Sequence, residues 1–121
     1  MLPCPRISLC IPTYNRATFL AQSLASLVRE AEAFPEGLVE VLVSDNASTD
    51  GTSAVIASMG TKWPSLRAFR NEQNLGFDLN FLKCVEEARG EFVWVIGDDD
   101  VLVPGAVKQV MDALAQGADI C

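Results

Sequence analysis

Phe92-Val93-Trp94-Val95-Ile96-Gly97-Asp98-Asp99-Asp100 is an apolar run that ends in three consecutive carboxylates. A short stretch rich in β-branched and aromatic residues reads as a buried strand. Three acidic groups at its carboxyl end repel one another unless a cation joins them. Hard divalent ions such as Mg2+ or Mn2+ take oxygen ligands and often bridge to a phosphate-bearing substrate. The plainer alternative is a solvated acidic turn in which one Asp caps the next helix.

Working outward, the chain alternates strand-like and helix-like segments. Ile7 to Ile11 reads as a first strand stopped by Pro12, and Leu20, Leu24, Leu27, Val28 and Ala31 mark an amphipathic helix from about Ala17 to Ala33. Val39 to Val43 reads as a second strand, followed by a polar turn from Ser44 and a helix through Val55, Ile56 and Met59 that ends at Gly60. Leu66 to Arg70 is a weaker strand, and Phe77, Phe81, Leu82, Val85 and Ala88 mark a third helix terminated by Gly90. Glu91 to Ile96 gives the fourth strand. Pro104 suits the first turn of a fourth helix, which Gly117 ends, and Ala118 to Cys121 looks like a fifth strand beginning.

Four β-α units in series predict an α/β fold, a mostly parallel sheet with helices on both faces. Right-handed crossovers place every strand-to-helix loop at one edge, where open α/β sheets bind ligands. Three polar clusters should therefore meet: Thr13 to Arg16, Asp45 to Thr52, and Asp98 to Asp100. A chain stopping at the start of a strand has the pattern of a truncated fold, whose open edge favours self-association.

Composition narrows the function. With 121 residues, half of them hydrophobic and 21% charged, the chain fits one globular domain. Its net charge of −7 argues against a nucleic-acid partner. Four scattered cysteines with no C-x-x-C pair, and no His, disfavour zinc, a disulfide framework and His-based catalysis. Met1 to Arg6 does not resemble a secretory signal. Reduced thiols in a cytoplasmic compartment are the expectation.

The loop motifs carry both structural and chemical readings. Pro12-Thr13-Tyr14-Asn15-Arg16 is a turn leading into a helix, or a helix N-terminus that joins Arg16 in holding an anion. No glycine-rich phosphate loop is present, which disfavours a dinucleotide-binding Rossmann enzyme or a P-loop NTPase. In the segment 44–52, Asp50 or Thr52 suits a helix cap and Gly51 a tight turn. Asp45 sits at the strand tip, where a carboxylate could accept from a ring N–H of uracil, thymine or guanine, or from the amino group of cytosine.

Read together, Ile7 to Arg16, Val41 to Thr52 and Phe92 to Pro104 resemble the opening of a glycosyltransferase family 2 enzyme with a Rossmann-like GT-A fold. The resemblance spans essentially the whole chain. It implies that residues 1–121 are the N-terminal, nucleotide-diphosphate-sugar-binding part, with the acceptor-binding part and the general base beyond residue 121. Pro12, Tyr14 and Arg16 would line the nucleotide pocket, Asp45 would contact the base, and Asp98 and Asp99 the ribose or sugar. Mn2+ or Mg2+ would sit on Asp99 and Asp100. Asn74, Gly76 and Asn80 resemble the family's third loop and helix more loosely.

The family commonly has Asp-x-Asp-Asp before an apolar pair and a proline. Aligning on Pro104 places Gly97 at the first Asp, whereas reading Asp98-x-Asp100 shifts the register by one. The Gly-Asp-Asp-Asp form resembles a subgroup with abequosyltransferase-like enzymes and implies a deoxysugar donor. The implied reaction is inverting transfer to a saccharide or lipid-linked acceptor, by an intact protein peripheral to the inner membrane. This chain alone would bind donor without turnover. A non-catalytic nucleotide-sugar-binding module shares the same features. A receiver-like signalling domain lacks support because its late Lys is missing.

Overall fold

The computed structural model describes residues 4–116. Strands β1 (Ile7–Thr13), β2 (Val39–Asp45), β3 (Arg67–Arg70) and β4 (Phe92–Val95) alternate with helices α1 (Ala17–Glu32), α2 (Thr52–Lys62), α3 (Phe77–Glu87) and α4 (Ala106–Ala115). All three strand pairings are parallel, in the order β3-β2-β1-β4. The expected sheet and its two helical layers are present. Gly117 and the fifth strand expected from Ala118 lie outside the described residues.

Side-chain alternation assigns the layers. Ile7, Leu9 and Ile11 of β1, with Val39, Val41 and Val43 of β2, pack against α1, α2 and α4. The opposite face carries Cys10 and Leu42 against Cys84 of α3. Both central strands are buried along their full length. Leu20, Leu24 and Leu27 of α1 are completely buried, each stabilising the fold by about 1.5–3 kcal/mol relative to exposure. No described helix is long and apolar enough to cross a membrane.

Several local expectations are corrected. β1 continues through Pro12 to Thr13. Ile96 donates to the Cys10 carbonyl, so Cys10 and Pro12 face β4 while Thr13 faces β2. Pro12 has no N–H to offer on that side, and the β1–β4 ladder ends there. β2 likewise runs two residues past its expected end, making Asp45 its last residue.

The run 92–95 was expected to be buried, yet among the described residues it is an edge strand paired only with β1, with Val93 39% exposed. Apolar composition does not reveal whether a second strand lies alongside. α2 passes through Gly60 and stops at Lys62, because Trp63 precedes Pro64 and leaves the helical region at φ −137°, ψ 88°. α3 ends at Glu87 with Ala88 extended, so Gly90 is not its terminator. Gly90 instead lets the chain cross β1, where an added Cβ would lie 2.7 Å from the Ser8 nitrogen. Pro104 stands in the turn before α4, whose N-cap is Gly105 at φ +86°.

Candidate functional site

Four loops rise from the carboxyl edge of the sheet, and side chains lock them together. Asn15, in the left-handed region at φ +50°, donates its N–H to Ser48 Oγ at 2.9 Å. Its Oδ1 accepts from the Thr49 N–H at 2.7 Å. Asp50 accepts from the Thr52 N–H at 2.9 Å and from the Ala17 N–H at 3.2 Å, fastening the starts of α2 and α1 to each other. The Thr52 hydroxyl, followed by these N–H groups, holds the Asp50 carboxyl below its usual range. Because Asp50 occupies the first N–H of α1, that helix start is less open to an anion than the sequence implied. Gly51 has an ordinary φ of −78°, and Ala47 is the residue forced to φ +63°.

Asp45 ends β2 and is 2% exposed. Its Oδ1 accepts from the Ser48 N–H at 3.0 Å, and its Oδ2 pairs with Arg70 Nη1 at 2.8 Å. Arg70 stands directly opposite Asp45 in the β2–β3 register and also donates to the Ser48 carbonyl at 2.9 Å. Arg70 was not singled out from sequence. Its only signal is its position at the end of a weak strand, and pairing it with Asp45 requires the register.

On the α3 side of the same edge lies a cleft of about 390 Å3. Pro12, Tyr14, Arg16 and Asp98 line it, facing Asn74, Gly76 and Asn80. Buried amides build its floor. Asn46 Nδ2 donates to Asn74 Oδ1 at 2.8 Å, and Asn71 Nδ2 reaches both Asn46 Oδ1 at 3.1 Å and Asn80 Oδ1 at 3.0 Å. Asn80 Oδ1 also accepts from Ser44 Oγ at 2.8 Å. Asn46 and Asn71 escaped the sequence reading because polar loop residues carry no mark of burial. Asp45 does not line this cleft; it borders a smaller hollow with Arg70, Ser53 and Phe69. A larger hollow of about 510 Å3 follows β4 and is walled mainly by Phe92, Trp94, Val110 and Leu114. It lacks the convergent polar groups of a substrate site.

The acidic loop divides in two. Asp98 is half-buried and accepts from Thr13 Oγ1 at 2.9 Å. Asp99 and Asp100 are exposed and do not line the cleft. Both carboxylates fold toward Gly97, where an added Cβ would lie 2.7 Å from Asp100 Oδ2 and 3.1 Å from Asp99 Oδ1. Among the described residues, no three acidic, Cys or His side chains gather as a metal cage. A pair of exposed carboxylates nevertheless fits Mg2+-type chemistry, in which one or two carboxylates hold an ion completed by water and substrate phosphates.

This arrangement of loops on a parallel sheet has counterparts in known proteins. Residues 8–121 match the profile of Glycosyl transferase family 2. The chain belongs to glycosyl transferase family 2. It is 40% identical over 115 residues to Abequosyltransferase RfbV of Salmonella typhimurium, covering 94% of this chain and 34% of that protein. Among solved structures, it resembles S. aureus TarS 1-349 in complex with UDP-GlcNAc, with a TM-score of 0.82 and 28% identity over 92% of this chain and 31% of that one. It also resembles the mannosyltransferase PcManGT from Pyrobaculum calidifontis in complex with GDP-Man and Mn2+, with a TM-score of 0.77 and 27% identity over 97% and 33% of the two chains. The fold is that of the family's GT-A members, and the chain spans about a third of the length of these relatives.

Proposed function

We propose that this chain binds the donor of a nucleotide-diphosphate-sugar glycosyltransferase, which passes the sugar to the hydroxyl of a saccharide or lipid-linked acceptor with inversion. The acceptor pocket and general base are assigned to parts of the protein beyond residues 1–121. The observation that carries this reading is the cleft at the carboxyl edge of the sheet, where Pro12, Tyr14 and Arg16 meet Asp98 from a loop more than eighty residues later. Complexes of the similar structures with UDP-GlcNAc and GDP-Man support a nucleotide-sugar ligand.

In this reading the exposed Tyr14 ring offers an apolar face at the cleft mouth. Arg16 supplies the positive charge that a diphosphate requires. Asp45 is buried with both oxygens engaged and borders the hollow beside the cleft, so in this reading it meets the base edge by exchanging Arg70 for the base. Asp98 and Asp99 meet the ribose or sugar. Asp99 and Asp100 hold Mn2+ or Mg2+, an ion that stabilises the negative charge developing on the leaving diphosphate. Likeness to an abequosyltransferase favours a deoxysugar donor.

Calorimetric titration of the full chain with UDP, dTDP, CDP and GDP, each with Mn2+ and with EDTA, tests the proposal. One nucleotide should bind in a metal-dependent manner and lose that binding in Arg16→Ala and Asp45→Ala. Failure of all four to bind a folded chain contradicts it.

A further inference from the structure

The acidic loop is short of regular structure between Ile96 and Ala106, yet side chains of one helix make four hydrogen bonds to its backbone and a fifth to Val107 at the start of α4. α1 turns an apolar face to the sheet through Leu20, Leu24 and Leu27, and the flank of that face carries Ser23, Ser26 and Glu30, all buried. Polar groups are costly to bury unless bonded, and each of these bonds the backbone of residues 97–107. Ser23 Oγ donates to the Gly97 carbonyl at 3.3 Å. Ser26 Oγ accepts from the Leu102 N–H at 3.0 Å while donating to the Ser23 carbonyl at 2.7 Å. Glu30 accepts from the Val107 N–H at 3.1 Å through Oε1 and from the Gly105 N–H at 3.4 Å through Oε2. From the exposed side of α1, Arg29 Nη2 closes the set on the Leu102 carbonyl at 2.6 Å.

We infer that the buried polar flank of α1, Ser23, Ser26 and Glu30, is the positioning device of the acidic loop and presets the Asp99–Asp100 pair for its cation. The inference rests on the donor-site reading above and deepens it. Spacing of three and four residues puts the side chains on one helical face. They meet the loop just before the Asp98–Asp99 turn, at Leu102 beyond it, and at Gly105 in the turn that leads into α4. Asp99 and Asp100 themselves are exposed, and neither carboxylate is held by a side-chain hydrogen bond from another residue among the described contacts. Their placement thus depends on the backbone between Gly97 and Leu102, and α1 grips both of those ends. None of the three α1 residues touches the cleft, so they act through the loop and not on the ligand.

The test compares wild type with Ser26→Ala and with the milder Glu30→Gln, both first checked for native circular dichroism. Hydrogen exchange without metal or nucleotide should show faster exchange at Leu102 in Ser26→Ala and at Gly105 in Glu30→Gln. Mn2+ titration by electron paramagnetic resonance, with whichever of UDP, dTDP, CDP or GDP binds wild type, should show Mn2+ affinity lowered about 10- to 100-fold in Ser26→Ala. The weaker, metal-free nucleotide affinity left in EDTA should be the same in the variants as in wild type. Unchanged Mn2+ affinity in both variants overturns the inference and leaves the donor-site reading standing. Equal loss in EDTA and in Mn2+ marks a general structural role and also overturns it. Absence of any Mn2+ effect in wild type removes the metal reading and this inference together.

Discussion

Thr13 Oγ1 donates to Asp98 Oδ2 at 2.9 Å and thereby joins the tip of the first strand to the acidic loop. Thr13 is 2% exposed and Asp98 half-buried, so the carboxylate depends on this donor where water reaches it poorly. Thr13→Val keeps the shape and removes the donor. It should lower stability by about 1–3 kcal/mol, read from urea denaturation midpoints at neutral pH. A midpoint equal to wild type would show that solvent replaces the bond.

Gly90 and Gly51 offer a contrast that isolates close packing. A Cβ at Gly90 would lie 2.7 Å from the Ser8 nitrogen and 2.8 Å from the Ile7 carbonyl carbon, both backbone atoms that cannot swing aside. Gly90→Ala should therefore destabilise by about 1–3 kcal/mol or more. A Cβ at Gly51 would meet only the Ala17 Cβ at 3.7 Å, and Gly51→Ala should stay within about 1 kcal/mol of wild type. Thermal melting of the two variants side by side decides the matter.

Glu40 makes stability fall in acid. Burial pushes its carboxyl upward, but the Arg89 N–H, the Arg67 guanidinium at 2.7 Å and the Ser8 hydroxyl outweigh it, leaving the group below its ordinary value of 4.5. A carboxylate with a depressed folded-state pKa stabilises the fold fully above the unfolded value, and that contribution disappears as pH falls through the folded value. Wild type should lose stability as pH drops below about 4.5, and Glu40→Gln should show a shallower decline over the same window. Parallel pH profiles from urea melts at pH 7 to 3 test this directly.

Cys10 and Cys84 should be chemically silent in the native state. Burial pushes both thiols up to about 12, so neither supplies the thiolate that reacts. Iodoacetamide followed by peptide mass spectrometry should label the exposed Cys4 in native protein and reach Cys10 and Cys84 only in denaturant. Native labelling of either buried thiol would mean that α3 opens readily from the sheet.

The order of elements was legible because apolar spacing switches from two to nearly four along the chain, and each switch is bounded by Gly, Pro or Asx residues. Asp45 was legible as a strand tip for the same reason. Its partner was not, since Arg70 comes opposite Asp45 only through the β2–β3 register, which single-strand patterns do not encode. Ser26 and Glu30 stayed hidden because polar residues on a helix read as solvent-facing until the loop that covers them is known. Pro12 and Gly90 were read for their usual work of ending elements. Here their roles come from neighbours: a ladder that stops at Pro12 and a backbone that crosses tightly at Gly90.

The central claim is that a nucleoside diphosphate occupies the cleft between the first loop and the start of α3. Amide chemical-shift mapping of the full chain, titrated with UDP, dTDP, CDP and GDP in the presence of Mg2+, tests it most directly. The account predicts saturable shifts from one of the four, centred on Tyr14, Arg16, Asn46 and Gly76. Shifts confined to the β4 hollow around Val93 and Trp94, or none from any nucleotide, would contradict it.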